Sequence, residues 1–172
     1  MGLKPAKAPL AGPKAGNAQT SESHAGLYWL PGDAERHPSG EADVMQHLHA
    51  AGIPARKLVL GVPFYGRAWC SVDPKNNGLH QTAESYVQSY PYSVLVRDFI
   101  DKPGFIRRWD REAHVPYLWN PASGILISYE DPQSLKDKAN FVRRHRLGGI
   151  MYWEHGEDPD EILLNALYYN LR

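Results

Sequence analysis

Cysteine, net charge and long apolar runs are all scarce in this sequence, and each shortage removes a class of protein. A single cysteine, Cys70, has no second thiol to pair with, so neither an intrachain disulfide framework nor a cysteine-rich zinc site can form. Lysine and arginine total 19, as do aspartate and glutamate, and that balance excludes the basic excess of a nucleic-acid binder. No stretch approaches the roughly 20 consecutive apolar residues of a membrane span, so no membrane partner is expected. The first residues lack the apolar core of a secretory signal. Gly2 is not followed by the myristoylation pattern, because position 6 is alanine. Also missing are a glycine-rich phosphate loop, a G-x-S-x-G nucleophile elbow and an H-E-x-x-H zinc motif. No metal and no cofactor are expected.

What is present suits one folded unit with a modest appendage: 172 residues, 42% of them apolar. The aromatics are weighted toward Trp (five) and Tyr (ten) over Phe (four). Such amphipathic rings suit a surface that is half apolar and half hydrogen-bonding, such as a carbohydrate groove. A core that simply uses Tyr and Trp fits the same composition. Residues 1–38 read as a loop-like head, with Pro5, Pro9 and Pro13 set among lysines and glycines and no apolar periodicity. Ser39 is a good helix cap, Val44, Met45 and Leu48 supply an apolar stripe, and Gly52 and Pro54 stop the helix. The run Lys57-Leu58-Val59-Leu60-Gly61-Val62-Pro63 is uninterrupted rather than alternating, which predicts a parallel strand covered on both faces.

Near the end the pattern repeats. Asp131 caps a helix with Pro132 at its first position, and Leu135, Ala139, Val142 and Leu147 fall at helical spacing. The cations Arg143, Arg144, His145 and Arg146 crowd its last turn, where they complement the helix dipole. Gly148-Gly149 leads into a second apolar strand, Ile150-Met151-Tyr152-Trp153-Glu154, and Asp158-Pro159-Asp160-Glu161 opens a final helix. Helix–strand followed by helix–strand–helix predicts a parallel α/β scaffold. The two strands lie about 90 residues apart, whereas a βαβ unit takes about 30. Residues 70–128 therefore form an insertion, for which three short β-like runs predict a small α+β lobe: Tyr92-Ser93-Val94-Leu95-Val96, Val115-Pro116-Tyr117-Leu118-Trp119 and Gly124-Ile125-Leu126-Ile127-Ser128-Tyr129. Asn120-Pro121-Ala122-Ser123-Gly124 joins the last two as a hairpin.

Sites in parallel α/β folds form at the carboxyl ends of strands. The first strand runs out into Phe64-Tyr65-Gly66-Arg67-Ala68-Trp69 and the last into Met151-Tyr152-Trp153-Glu154, so both ends offer aromatic faces beside a charged or hydroxyl group. A ring can stack on the C–H face of a sugar while Arg and Tyr bind its oxygens. Aromatic plugs closing the mouth of a barrel are the alternative.

Lys57-Leu58-Val59-Leu60-Gly61-Val62-Pro63-Phe64-Tyr65-Gly66-Arg67 closely resembles the penultimate barrel strand of glycoside hydrolase family 18, the chitinases and chitinase-like lectins. Ser128-Tyr129-Glu130-Asp131-Pro132-Gln133-Ser134-Leu135 and then Leu147-Gly148-Gly149-Ile150-Met151-Tyr152-Trp153-Glu154 resemble the run into that family's eighth strand. Val115-Pro116-Tyr117-Leu118-Trp119-Asn120 looks like its α+β insertion. The resemblance covers residues 25–172 and implies a (β/α)8 TIM barrel, with scaffold at 39–69 and 129–172 and the insertion at 70–128. It further implies a groove for chitin or N-acetylglucosamine oligomers. Tyr65 and Arg67 would meet the sugar, and Trp153 would form the floor at the cleavage point with Met151 beside it.

Enzymes of the family use the substrate's own N-acetyl oxygen as nucleophile and one glutamic acid as proton donor, outside the two-carboxylate scheme of most glycosidases. That acid belongs to a D-x-x-D-x-D-x-E pattern, which occurs nowhere in the 172 residues, and the family's M-x-Y-D signature is absent as well. No catalytic residue is therefore assigned here; Glu154, at the rim, is the one carboxylate near the expected groove. After the head and the insertion are set aside, about 75 residues remain for a scaffold that takes about 250 in a full barrel. The expectation is a partial barrel, the C-terminal portion of a chitinase-like protein, inactive on its own and with an exposed edge open to association. A non-catalytic, lectin-like remnant and a structural fragment needing a partner chain are the alternatives. Family members are often secreted; compartment stays open.

Overall fold

In the computed structural model, which describes residues 19–21, 26–27 and 41–172, two strands that are distant in sequence lie side by side. Strand β2 (Val59–Pro63) pairs in parallel with β9 (Gly149–Trp153), in register from Val59 opposite Gly149 to Pro63 opposite Trp153. The chain between them is mostly a five-stranded antiparallel sheet. Its strands are β3 (Tyr65–Cys70), β5 (Ser85–Pro91), β6 (Ile106–Asp110), β7 (Val115–Asn120) and β8 (Ile125–Ser128), in the order β5-β3-β8-β7-β6. A third pairing joins β1 (Gln19–Thr20) to β4 (Thr82–Ala83). The helices are α1 (Glu41–Ala50), α2 (Tyr92–Asp98), α3 (Pro132–His145) and α4 (Ile162–Leu171).

Local chemistry accounts for most of these boundaries. Gly52, at φ +90°, follows the end of α1 in a conformation that favours glycine. The expected cap Ser39 lies outside the described residues. Asp131 caps α3 by accepting hydrogen bonds from the Gln133 and Ser134 amides, both at 3.0 Å, while the Ser134 hydroxyl accepts from the Asp131 amide at 2.9 Å. Pro132 occupies the first helical position, and Arg146 closes the helix in the left-handed region at φ 53°. Helix α4 begins after the acidic run rather than within it, yet Asp158 still serves as its cap. Its carboxylate accepts from the amides of Ile162, Leu163 and Leu164 at 2.8–3.0 Å.

Two expectations about local structure are overturned. Residues 92–96 form helix α2 rather than a strand. Their Val and Tyr content favours β structure, but Tyr92, Leu95, Val96 and Phe99 fall at helical spacing and bury together against the core, and that burial outweighs a weak β preference. Strand β2 is covered unevenly. Leu60 and Val62 are buried on one face, whereas on the other Val59 is 50% exposed, Gly61 is half-buried beside Met151 and Pro63 is buried. Strands β5 and β6, the two edges of the antiparallel sheet, were not read from the sequence; β6 carries Arg107 and Arg108 in place of an apolar alternation.

The main core lies where one face of the antiparallel sheet meets the helices. It is built from Val62, Phe64, Ala68, Tyr92, Leu95, Leu118, Ile127, Tyr129, Leu135, Leu163 and Leu167. The other face of the sheet holds a second cluster around Trp69, Leu79, Tyr117, Trp119 and Leu126. A third, formed by Leu27, Ala42 and Phe141, ties α1 to α3.

An ion pair is buried at the return from β8 to α3. Glu130 and Lys138 are fully buried, bonded to one another, and Glu130 also accepts the Ser134 hydroxyl at 2.5 Å. Burial pushes the Glu130 carboxyl up, and the Lys138 ammonium and Ser134 hydroxyl work against that shift. Lys138→Ala would strand a carboxylate in the core, and a loss of ~3–5 kcal/mol is expected from urea unfolding. The joint change Glu130→Gln with Lys138→Met should cost clearly less; a single variant within ~1 kcal/mol of the parent would contradict this role for the pair.

Candidate functional site

The parallel register carries the candidate site. With Pro63 opposite Trp153, the two strand tips named from the sequence are neighbours, and the Phe64 amide donates to the Trp153 carbonyl at 2.6 Å. Beyond the tip, the Phe64 ring stacks on Tyr152 with centroids 4.5 Å apart and planes 11° from parallel, and the Phe64 carbonyl accepts from the Tyr92 amide at 2.9 Å. Phe64 thus locks the end of β2 to the end of β9 on one side and to the start of α2 on the other. The Trp153–Glu154 peptide at this tip is cis.

Alternation along the paired strands sorts their side chains. Leu60, Val62, Ile150 and Tyr152 point toward the core, and Met151 and Trp153 point away from it, 52% and 63% exposed. Opposite Met151 stands Gly61, where an added Cβ would sit 3.5 Å from the Met151 methyl, so the thioether lies across a flat glycine. The result is an open apolar face ending in a bare indole, an unusual use of a tryptophan that could otherwise be buried.

Tyr65 and Arg67 stand on β3, the first strand of the antiparallel sheet, one residue past the parallel pair. They are two positions apart and so share a face of that strand, and the Arg67 guanidinium lies 6.0 Å from the centre of the Tyr65 ring. Tyr65 is half-buried and Arg67 is exposed. Between them, Gly66 is required by contact. An added Cβ would come within 2.9 Å of a Leu95 methyl and 3.0 Å of the Ser128 carbonyl oxygen. That close approach presses β3 onto β8 and α2 and sets the direction in which Tyr65 and Arg67 leave the sheet.

The carboxylates near this tip are Glu154 and Glu157, in the turn after β9. Burial pushes the Glu157 carboxyl up, an amide hydrogen bond draws it down, and the neighbouring Glu154 charge pushes it up again. Glu130 and Asp131, also noted in the sequence, serve structure instead: Glu130 is held by Lys138, and Asp131 caps α3 and pairs with Arg107 at 2.5 Å. Helical and strand periodicity could not reveal these partners, which arrive from β6 and from a later turn of α3. Among the described residues, no group of three or more His, Cys, Asp or Glu is arranged to hold a metal ion, and no helix is long and apolar enough to cross a membrane.

The family model "Glycosyl hydrolases family 18" matches residues 11–158. Chitinase A1 of Niallia circulans is 39% identical over 137 residues, covering 76% of this chain and 20% of that protein. Chitinase B of Serratia marcescens is 32% identical over 156 residues, covering 76% of this chain and 31% of that protein. Among solved structures, a family 18 N-acetylglucosaminidase from Paenibacillus barengoltzii superposes with a TM-score of 0.82 at 34% identity, over 92% of this chain and 46% of that one. The chain therefore spans a fifth to a third of these curated relatives and about half of the matched structure.

If Trp153 is held outside the core, Trp153→Ala should change unfolding stability by no more than ~1 kcal/mol. Phe64→Ala, which empties a fully buried site and breaks the stack with Tyr152, should cost ~3–5 kcal/mol in the same urea titration. Equal costs for the two variants would contradict the division between an open indole and a locking phenylalanine.

Proposed function

The chain belongs to glycosyl hydrolase family 18, and from that premise we propose that it forms the strand-seven-to-eight portion of a chitinase-type (β/α)8 barrel and one wall and floor of a groove for N-acetylglucosamine oligomers. In this reading β2 and β9 are the last two barrel strands and the exposed face of Met151 and Trp153 looks into the barrel. The scaffold comprises 39–69 and 129–172 with the insertion at 70–128, and β3 passes from one to the other. Residues 1–38 precede this scaffold, and within them Gln19–Thr20 form strand β1 against Thr82–Ala83.

The observation that supports the reading best is the in-register pairing of Pro63 with Trp153, which sets the Tyr65–Arg67 segment beside an exposed indole at the carboxyl ends of parallel strands. Trp153 offers a flat apolar face to a pyranose ring, while the Arg67 guanidinium and the Tyr65 hydroxyl offer hydrogen bonds to its hydroxyl or acetamido oxygens. One neighbour in the structural comparison, a chitinase from Cycas revoluta, was solved in complex with (GlcNAc)4. That likeness concerns the fold, and the ligand class comes to this chain only as part of the proposal.

Glycosidic hydrolysis is proposed for the family domain that contains the proton-donating glutamic acid, not for these 172 residues alone. The acidic strand pattern is absent from the sequence, and Glu154 and Glu157 lack a neighbouring carboxylate at the spacing that would orient an acetamido group. Calorimetric titration with N-acetylchitotetraose should give measurable binding to the parent chain, at least tenfold weaker in Trp153→Ala, or ~1.4 kcal/mol. Arg67→Ala should weaken it as well. The chain should release no reducing ends from the same oligomer. Binding unchanged by both substitutions would remove the proposed groove, and steady hydrolysis would overturn the assignment of chemistry elsewhere.

A further inference from the structure

Among the described residues strand β6 leaves one edge unpaired, and around that edge runs a groove of about 610 Å³, well within the size range of small-ligand sites. We propose that this groove is a second binding site, separate from the β2–β9 tip, for an oxyanion carried on a small polar body such as a sugar acid or a sugar phosphate. Arg67 and Arg108 stand in one row of the sheet, since Arg67 is opposite Ser128, Ser128 opposite Tyr117 and Tyr117 opposite Arg108. Three strand spacings separate them, about 14 Å, so one monosaccharide cannot occupy both places.

The argument rests on which hydrogen-bonding groups in the groove are already used. Arg107 is taken: it pairs with Asp131 and also bonds to Gln133 at 3.1 Å. Asp110 is taken too, because its carboxylate accepts from the Glu112 and Ala113 amides at 3.0 Å. Arg108 and Arg111 have no carboxylate partner among the described residues, although both line the groove. The Asn77 carboxamide is likewise without a hydrogen bond among those residues. The Nε2 atom of His80 is buried and stands 3.4 Å from the Asp110 carboxylate, long for a hydrogen bond. Glu112 is the one uncommitted acid on the rim.

The free groups are thus mostly donors, and two are guanidinium forks, whose paired N–H groups match a carboxylate or phosphate edge. Trp109, half-buried in the same lining, is itself engaged, with the Arg107 guanidinium 5.5 Å from its ring centre. Asn76 and Asn77 hold their segment in the left-handed region, at φ 49° and 53°, with the Asn76 carboxamide donating to the Leu79 carbonyl at 3.2 Å. Such a backbone costs of order 1 kcal/mol per residue, and both asparagines line the groove.

Calorimetry at low salt with glucuronate, glucose 6-phosphate, glucose and inorganic phosphate tests the proposal. Glucuronate or glucose 6-phosphate should bind, with affinity falling as sodium chloride is raised and at least tenfold lost in the joint variant Arg108→Ala/Arg111→Ala; glucose should give no heat. Both side chains are exposed, and an unchanged thermal melt would show that the variant is folded. Trp153→Ala should leave this binding intact, which separates failure here from failure of the chito-oligomer groove. No heat from either sugar anion, or binding indifferent to the joint substitution, would overturn the site. Inorganic phosphate binding as tightly as the sugar anions would also overturn it, reducing the groove to a place for an adventitious ion only.

Discussion

Five consecutive parallel pairs between β2 and β9 are the constraint from which the rest of the molecule follows. They join segments about 90 residues apart, so everything between must leave the pair at Phe64 and come back at Gly149. Parallel strands cannot be linked by a tight turn, and here the crossover is an entire antiparallel sheet followed by helix α3. Phe64 stands at the exit. Its amide, carbonyl and ring are each committed, to Trp153, Tyr92 and Tyr152 respectively, so the sheet departs in a set direction.

The return is held by charge as well as by apolar packing. At the end of β8, Tyr129 is buried, Glu130 pairs with Lys138, and Asp131 both caps α3 and binds Arg107 from the edge strand β6. These carboxylates make the surroundings electronegative. Tyr92 is pushed up to about 12, first by burial and then by the charges of Asp131 and Asp158, and Tyr129 is raised by burial and Asp131. Each acid carries a partner from another element: a later turn of α3 for Glu130, β6 for Asp131, and the first amides of α4 for Asp158. A buried charge without its partner is expensive, so these contacts define how the antiparallel sheet sits on α3 and α4.

The open apolar face has a different character. Val59, Met151 and Trp153 share one side of the parallel pair, and in a protein that buries Leu60, Phe64 and Leu135 completely their exposure is the exception. In the proposed barrel reading that face would turn to the barrel interior, since a barrel strand shows one side to the helices and the other to the interior. The polar groove at β6 belongs to the opposite part of the sheet and sets exposed Arg108 and Arg111 beside Leu79 and Tyr117 of the second core cluster.

Wherever a signal acts over a few residues, it was readable in the sequence. The cap at Asp131 with Pro132, the apolar stripe of α3, the Asn120 to Gly124 hairpin and the two apolar runs that became β2 and β9 all depend on neighbours within a turn or two. The motifs of the two strand tips also sufficed to name the family, because their residue types survive without any knowledge of packing. Three outcomes belonged to tertiary structure alone. Residues 92–96 became a helix because Tyr92, Leu95 and Val96 found a core to bury in, Arg107 and Arg108 entered a strand because β7 offered hydrogen bonds, and Val59 on β2 stayed half exposed while Leu60 and Val62 were buried. Each is decided by a partner far away along the chain, and a linear sequence does not record which distant surfaces will meet.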